Sequence, residues 1–192
     1  MSRAVLLSIQ PKWVELIASG KKTIEVRKSR PKLEEPFKCY IYCTKSGRPL
    51  VYGDKPCADG WTEQYCQTYG YSREEAEKIW DVMNGRVVGE FVCDRVFKIS
   101  ISENGPFSEE HGSDYEEGYS ALDYHDCLTD AEFDAYLKGK PGYGWHISEL
   151  KIYDKPKELS EFTGLKETRF GYAPYELKRA AQSWCYVEER EP

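Results

Sequence analysis

The chain has 192 residues, enough for one domain, and 40% of them are apolar, enough to bury a core. Its net charge of −6 speaks against nonspecific wrapping of a nucleic-acid backbone, and no apolar run reaches the ~18 residues of a membrane span. Seven cysteines, odd in number, irregularly spaced and without a C-x-x-C pair, speak against structural zinc and for reduced, mostly buried thiols.

The N-terminal apolar stretch is too short for a signal sequence, and Pro11 and Lys12 follow it directly, so the expected location is cytoplasmic. The charge is uneven. Residues 1–38 carry nine Lys/Arg against four Glu, whereas residues 103–134 carry eleven Asp/Glu and no Lys or Arg.

Residues 4–10 read as a first strand. A short helix follows, with Pro11 in its first turn, Trp13, Leu16 and Ile17 on one face, and Gly20 past its end. "TIEVRK" is a strand: Ile24 and Val26 point one way, and Thr23, Glu25 and Arg27 the other. "FKCYIYCTK" alternates Cys39, Ile41 and Cys43 against Tyr40 and Tyr42. Residues 72–85 have a capping box at Ser72 and Glu75 and are expected to form a helix. "RVVGEFVCDRVFKISI" is the strongest strand signal, long or bent at Gly89.

The acidic stretch at about 103–128 is expected to be an insertion. "LTDAEFDAYLKGK" is a helix that starts at Thr129 or Asp130, with Gly139 after it. "YGWHISELKIYDKP" is a strand ending at Pro156, "KELSEF" a helical turn, and "SWCYVEE" a last strand. Residues 163–181 show little pattern. Together these elements predict a single α+β domain: a mixed or antiparallel barrel with short helices at one end. Ile24, Val26, Ile41, Val88, Val92, Ile147 and Ile152 are the expected core-facing residues.

No P-loop, dinucleotide-binding or H-E-x-x-H motif is present, and neither metal nor cofactor is expected. His111, His125 and His146 are scattered; His146, beside Trp145 on a strand, is the one of interest. The stretch "KKTIEVRK" is the chemical candidate. Residues two apart on a strand lie roughly 7 Å apart, so Glu25 and Arg27 can orient each other across a ligand. Lys22, at the turn before the strand, reaches the same face; partly desolvated, it would serve as base or nucleophile. An exposed strand of alternating charge gives the same pattern. If the face is an open cleft, Arg27→Ala should cost little stability.

"SIQPKWVELIASGKKTIEVRKSRP" resembles the N-terminal signature of the ASCH domain, a branch of the PUA-like superfamily. "VVGEFVCDRV", "YGWHISELKIYDKPKELSEF" and "QSWCYVEE" resemble later parts of a bacterial and phage-associated subfamily. The resemblance implies a PUA-like β-barrel with a cleft on the G-K-K-T-I-E-V-R block for RNA, nucleotides or modified nucleosides. Lys21, Lys22, Thr23, Glu25 and Arg27 would contact the ligand, Tyr42, Trp145 and Trp184 would offer stacking faces, and His146 would lie nearby. One branch is similar to an amidohydrolase of 4-N-acetylcytidine. Lys22 and Thr23 stand where that branch has Lys and Thr, but Glu25 stands in place of its second Thr. In that reading Lys22, Glu25 and Glu90 would be catalytic. A third reading is a protein-interaction module that uses the acidic insert. Oligomeric state is left open by all three.

Overall fold

A computed structural model describes residues 2–45, 51–52, 81–102, 105–108 and 127–190. The chain opens with strand β1 (Arg3–Ile9), helix α1 (Pro11–Ala18), β2 (Ile24–Arg27) and β3 (Phe37–Cys43). Next come the two-residue strands β4 (Val51–Tyr52) and β5 (Asp81–Val82), then β6 (Val87–Cys93), β7 (Val96–Ser102) and β8 (Gly105–Ser108). Helix α2 (Asp130–Leu137), β9 (Gly142–His146) and β10 (Ser148–Lys157) follow. A single 3-10 turn (Leu159–Glu161) leads to β11 (Thr163–Thr168), β12 (Gly171–Glu176) and β13 (Trp184–Glu188).

The strands form one seven-stranded sheet, ordered β10-β6-β3-β1-β13-β11-β12, one four-stranded sheet, ordered β2-β9-β7-β8, and the small β4-β5 pair. The β1–β3 pair is parallel and its neighbours are antiparallel. The architecture is thus mostly β with two helices among the described residues. The large sheet does not close into the expected barrel: among the described residues its edge strands are β10 and β12.

The long apolar runs explain the split into two sheets. "RVVGEFVCDRVFKISI" is two strands, not one. The corner lies at Asp94 and Arg95, where the chain leaves the large sheet for the small one, rather than at Gly89. "YGWHISELKIYDKP" makes the reverse crossing at Ile147. The corners are tied by backbone bonds, His146 N–H to the Arg95 carbonyl (2.9 Å) and Ile147 N–H to the Thr23 carbonyl (2.8 Å). Pro156 falls inside β10, which tolerates it as an edge strand.

Three apolar clusters result. Val5, Leu7, Ile41, Val88 and Phe91 from one face of the large sheet pack with Trp145 of β9. Leu6, Tyr40, Tyr42, Val87 and Phe162 fill the other face. Ile24 and Val26 join neither; they pack with Phe97, Ile99 and α2 residues Phe133 and Leu137. Gly144 is required there, because a Cβ would meet the Phe97 ring at 2.3 Å. Of the expected core residues, Ile24, Val26, Ile41, Val88 and Ile147 are buried, while Val92 and Ile152 are half-buried.

Helix α2 starts as the sequence indicates. Thr129 is its N-cap and shares a reciprocal capping box with Glu132. The expected helix over 72–85 lies largely outside the described residues, but its end differs: Asp81 and Val82 are strand, paired with Tyr52 and Val51. Most of the acidic insertion, with His111 and His125, also lies outside them; Gly105–Ser108 within it pairs with β7. Among the described residues, no helix is long and apolar enough to cross a membrane.

Candidate functional site

Helix α1 ends where the charged stretch begins. Ser19 caps it and Gly20 follows with φ +74°, the left-handed conformation that glycine adopts without strain. The Lys21 and Lys22 N–H groups both donate to the Leu16 carbonyl at 3.0 Å, which closes the last turn and carries Lys22 inward. The buried stripe of α1 is Pro11, Val14 and Ile17, so Trp13 is left at the side of the helix. There the Trp13 ring lies 5.3 Å from the Lys22 ammonium.

Strand β2 alternates as expected, but both of its faces are covered. Ile24 and Val26 face α2, and Glu25 and Arg27 face the space between the two sheets. Glu25 stands directly across from Trp145 in the β2–β9 register, and Arg27 across from Tyr143. The charges therefore sit beside the main apolar cluster. Lys22 is 2% exposed, and Glu25 and Arg27 are each 6% exposed. Burial on this scale revises the expectation that Arg27→Ala is cheap.

The three side chains form one cluster. Arg27 Nη2 lies 2.9 Å from Glu25 Oε1, and Lys22 Nζ lies 3.6 Å from Glu25 Oε2. Arg27 Nη2 also donates to the Ser8 carbonyl of β1 at 3.0 Å, which ties the small sheet to the large one. Two cations share one carboxylate. Two buried donors in the same layer, Arg27 Nε and Trp145 Nε1, have no acceptor among the described residues. A buried N–H without an acceptor is destabilising by about 1–3 kcal/mol. The local chemistry is thus rich in donors and positive charge, and short of acceptors.

Trp184 joins this layer. Its ring lies 6.0 Å from that of Trp145, and its Nε1 donates to Ser29 Oγ at 3.1 Å. Thr23 is half-buried beside the cluster, with its carbonyl used by Ile147, and Lys21 is exposed. Three other candidates are elsewhere. Tyr42 and Glu90 belong to the opposite face of the large sheet: Glu90 accepts from the Tyr153 hydroxyl at 2.5 Å and lies 3.8 Å from Lys38 Nζ. His146 pairs across from Ile24, on the far side of β9 from Trp145, with its Nδ1 2.6 Å from Asp94 Oδ1. Alternation groups residues within a strand, but it does not say which sheet face two distant strands share.

Sequence reasoning missed Trp13 and the Ser8 carbonyl. Neither leaves a periodic trace, since both reach the cluster through tertiary packing. No set of three or more His, Cys, Asp or Glu among the described residues is arranged to hold a metal ion.

With this geometry in place, comparison with known proteins defines the class. The model of the ASCH domain family matches residues 7–177, and the chain belongs to that family. The crystal structure of ASCH from Zymomonas mobilis superposes with a TM-score of 0.52 at 16% identity, covering 97% of this chain and 88% of that one. A serine-to-alanine mutant of the same Zymomonas mobilis protein gives 0.51 at 16% identity, covering 97% and 89%. These likenesses establish the fold. No curated protein matches the chain.

Proposed function

We propose that this ASCH domain binds RNA, a nucleotide or a modified nucleoside through the Lys22–Glu25–Arg27 cluster on its GKKTIEVR block. The observation that carries this reading is the surplus of buried donors. Arg27 Nε and Trp145 Nε1, buried beside the Lys22–Glu25–Arg27 ion pairs and without an acceptor among the described residues, call for a ligand that supplies acceptors. A phosphate oxygen or a base carbonyl meets that need. Glu25 supplies the complementary acceptor for an exocyclic amine, and Trp145 and Trp184 supply aromatic surface.

The test is direct titration of the intact chain with nucleosides, nucleotides and short RNAs at low and high salt. Binding stabilises the fold in proportion to occupancy. A phosphate-led mode weakens as salt rises, whereas nucleoside recognition does not. Arg27→Lys keeps a charge but loses the planar fork and the Nε donor, so affinity should fall about tenfold or more. Unchanged affinity in Arg27→Lys would move the site elsewhere.

The burial of Lys22 favours a second reading, a hydrolase of an acylated nucleoside such as 4-N-acetylcytidine. Water would add to the amide carbonyl and the C–N bond would break, releasing acetate and cytidine. Lys22 would act as the base for that water, or as a nucleophile that takes the acetyl group, expels cytidine and is freed when water cleaves the acyl-lysine, with Glu25 assisting; Glu90, bonded to Tyr153 on the opposite face of the sheet, would take no part. Incubation with 4-N-acetylcytidine decides it. Acetate release that Lys22→Ala abolishes supports hydrolysis; binding without turnover returns the site to a recognition role.

A further inference from the structure

Strand β13 and the β11–β12 hairpin carry an aromatic series that the buried cluster does not need. It starts at buried Trp145 and continues through Trp184, Tyr186 and Tyr172, with ring centroids 6.0, 5.3 and 5.4 Å apart. The last three rings are half-buried, so the series runs from the inter-sheet layer toward the β12 edge. Beyond Tyr172, the Arg3 guanidinium lies 4.4 Å from its ring centre. The contacts beyond Trp184 are edge-to-face, which suits the ring quadrupoles and holds each ring at a fixed tilt.

We propose that this series is a stacking track for a single-stranded nucleic acid, one of whose nucleotides reaches the Lys22–Glu25–Arg27 cluster. The proposal rests on the ligand class given above and extends it from one residue of ligand to a strand. Two cations border the rings: Arg3 over Tyr172 and Arg169 at the hairpin tip, neither with a carboxylate within 4 Å among the described residues. Of the acids on the same face, Glu167 is matched by Lys32 and Glu176 by Lys178, and Glu188 stands across from Arg3. The hairpin tip also holds the most exposed large hydrophobic residue among the described residues, Phe170 at 85%. Phe170 sits at the tip under the Arg169 guanidinium, 4.5 Å away. Packing does not require such a ring; an aromatic face under a cation suits a base with its phosphate.

A protein strand added to the open β12 edge fits less well. Pro174 lies in the middle of β12, opposite Leu165, and brings no N–H to that edge.

The experiment uses the full chain with uridine mono-, tri- and hexanucleotides and their deoxythymidine counterparts, read by fluorescence anisotropy. Affinity should rise from mononucleotide to hexanucleotide. Tyr172→Ala should weaken the hexanucleotide about tenfold and leave the mononucleotide unchanged, while Tyr172→Phe should keep the wild-type affinity. A melting curve on each variant establishes that it is folded. If Tyr172→Ala keeps full hexanucleotide affinity while Arg27→Lys loses the mononucleotide, the track is wrong and the buried site stands. If no uridine or thymidine ligand binds, both fall. Comparable binding of the two sugar series leaves the track intact as a stacking surface for either nucleic acid, whereas tighter binding of a duplex than of a single strand overturns it.

Discussion

Glu25 and Glu90 sit on opposite faces of the large sheet, and each meets a lysine and an aromatic-rich wall. Glu90 is matched: the Tyr153 hydroxyl donates to one oxygen, Lys38 approaches the other, and the group is about one-fifth exposed. Glu25 accepts from Arg27 and lies near Lys22, and two further buried N–H donors beside it have no acceptor among the described residues. Proteins rarely bury polar groups without partners, and where they do a binding or catalytic demand is a common reason. The same residue types thus make a matched contact on one face and leave buried N–H donors without acceptors among the described residues on the other.

Removing each carboxylate gives the largest test of this contrast. Glu25→Ala breaks the buried ion pairs that Glu25 makes with Arg27 and Lys22, and breaking a buried ion pair typically costs about 3–5 kcal/mol. Glu90→Ala leaves a phenol and a partly exposed lysine, and should cost about 1–2 kcal/mol. Urea unfolding of the two variants measures the difference. Equal costs would mean that water reaches the Glu25 cluster and that it is a solvated edge.

That contrast was only half legible in the sequence. The period-two pattern of "TIEVRK" correctly separated Ile24 and Val26 from Glu25 and Arg27, because pleat geometry is local. It could not show that both faces would be covered, since the second layer comes from β9 and α2, more than a hundred residues away. Glu90, Tyr42 and His146 were grouped with the site for the same reason. Family resemblance named the block but not the sheet face of more distant strands. The β11–β12 hairpin left almost no signal: most of its residues are exposed, so neither face imposes an apolar period. The Thr129 cap was readable because capping is settled within four residues.

Alkaline titration separates Cys93 on one face from Tyr153 on the other by the pH at which each begins to cost stability. Cys93, on the inter-sheet face, has its thiol pushed up to about 12, mainly by burial and further by the carboxylates of Glu35 and Asp94. Tyr153, on the other face, has its phenol raised by burial and by its bond to Glu90. In both, the folded value exceeds the unfolded one, so the neutral group's contribution is complete below the unfolded pKa and is lost as pH rises toward the folded value. The Cys93 thiol should therefore begin to cost stability from about pH 8.5, as should the other raised thiols, Cys39 and Cys43 on its own face and Cys185 on the Tyr153 face, whereas Tyr153 itself should do so only from about pH 10. Cys93→Ala should reduce the earlier part of a stability–pH curve, and Tyr153→Phe the later part. A curve that neither variant changes would mean that neither group is buried in the folded state.

The smallest expected effect lies behind β2, where α2 supports its apolar side. Glu132 is held at about 2, first by its bond to Lys12 and then by the Thr129 backbone N–H, within the box that caps α2. Its folded pKa is depressed, so its contribution is complete above the unfolded value near 4.3 and is lost as pH falls through about 2. The Lys12–Glu132 pair is largely solvent-exposed, so Lys12→Ala should cost at most about 0.5 kcal/mol. Thr129→Ala also removes the cap and should cost about 1 kcal/mol. Neither residue touches Glu25 or Arg27, and Ile24 and Val26 separate α2 from them. Nucleotide affinity should therefore be unchanged in Thr129→Ala even as the melting temperature drops, whereas Lys12 also lies 4.2 Å from the Trp13 ring beside Lys22, so its variant probes that contact as well. A parallel loss of affinity in Thr129→Ala would show that the apolar face of β2 sets the geometry of its charged face, and that the two sides of this four-residue strand act as one unit.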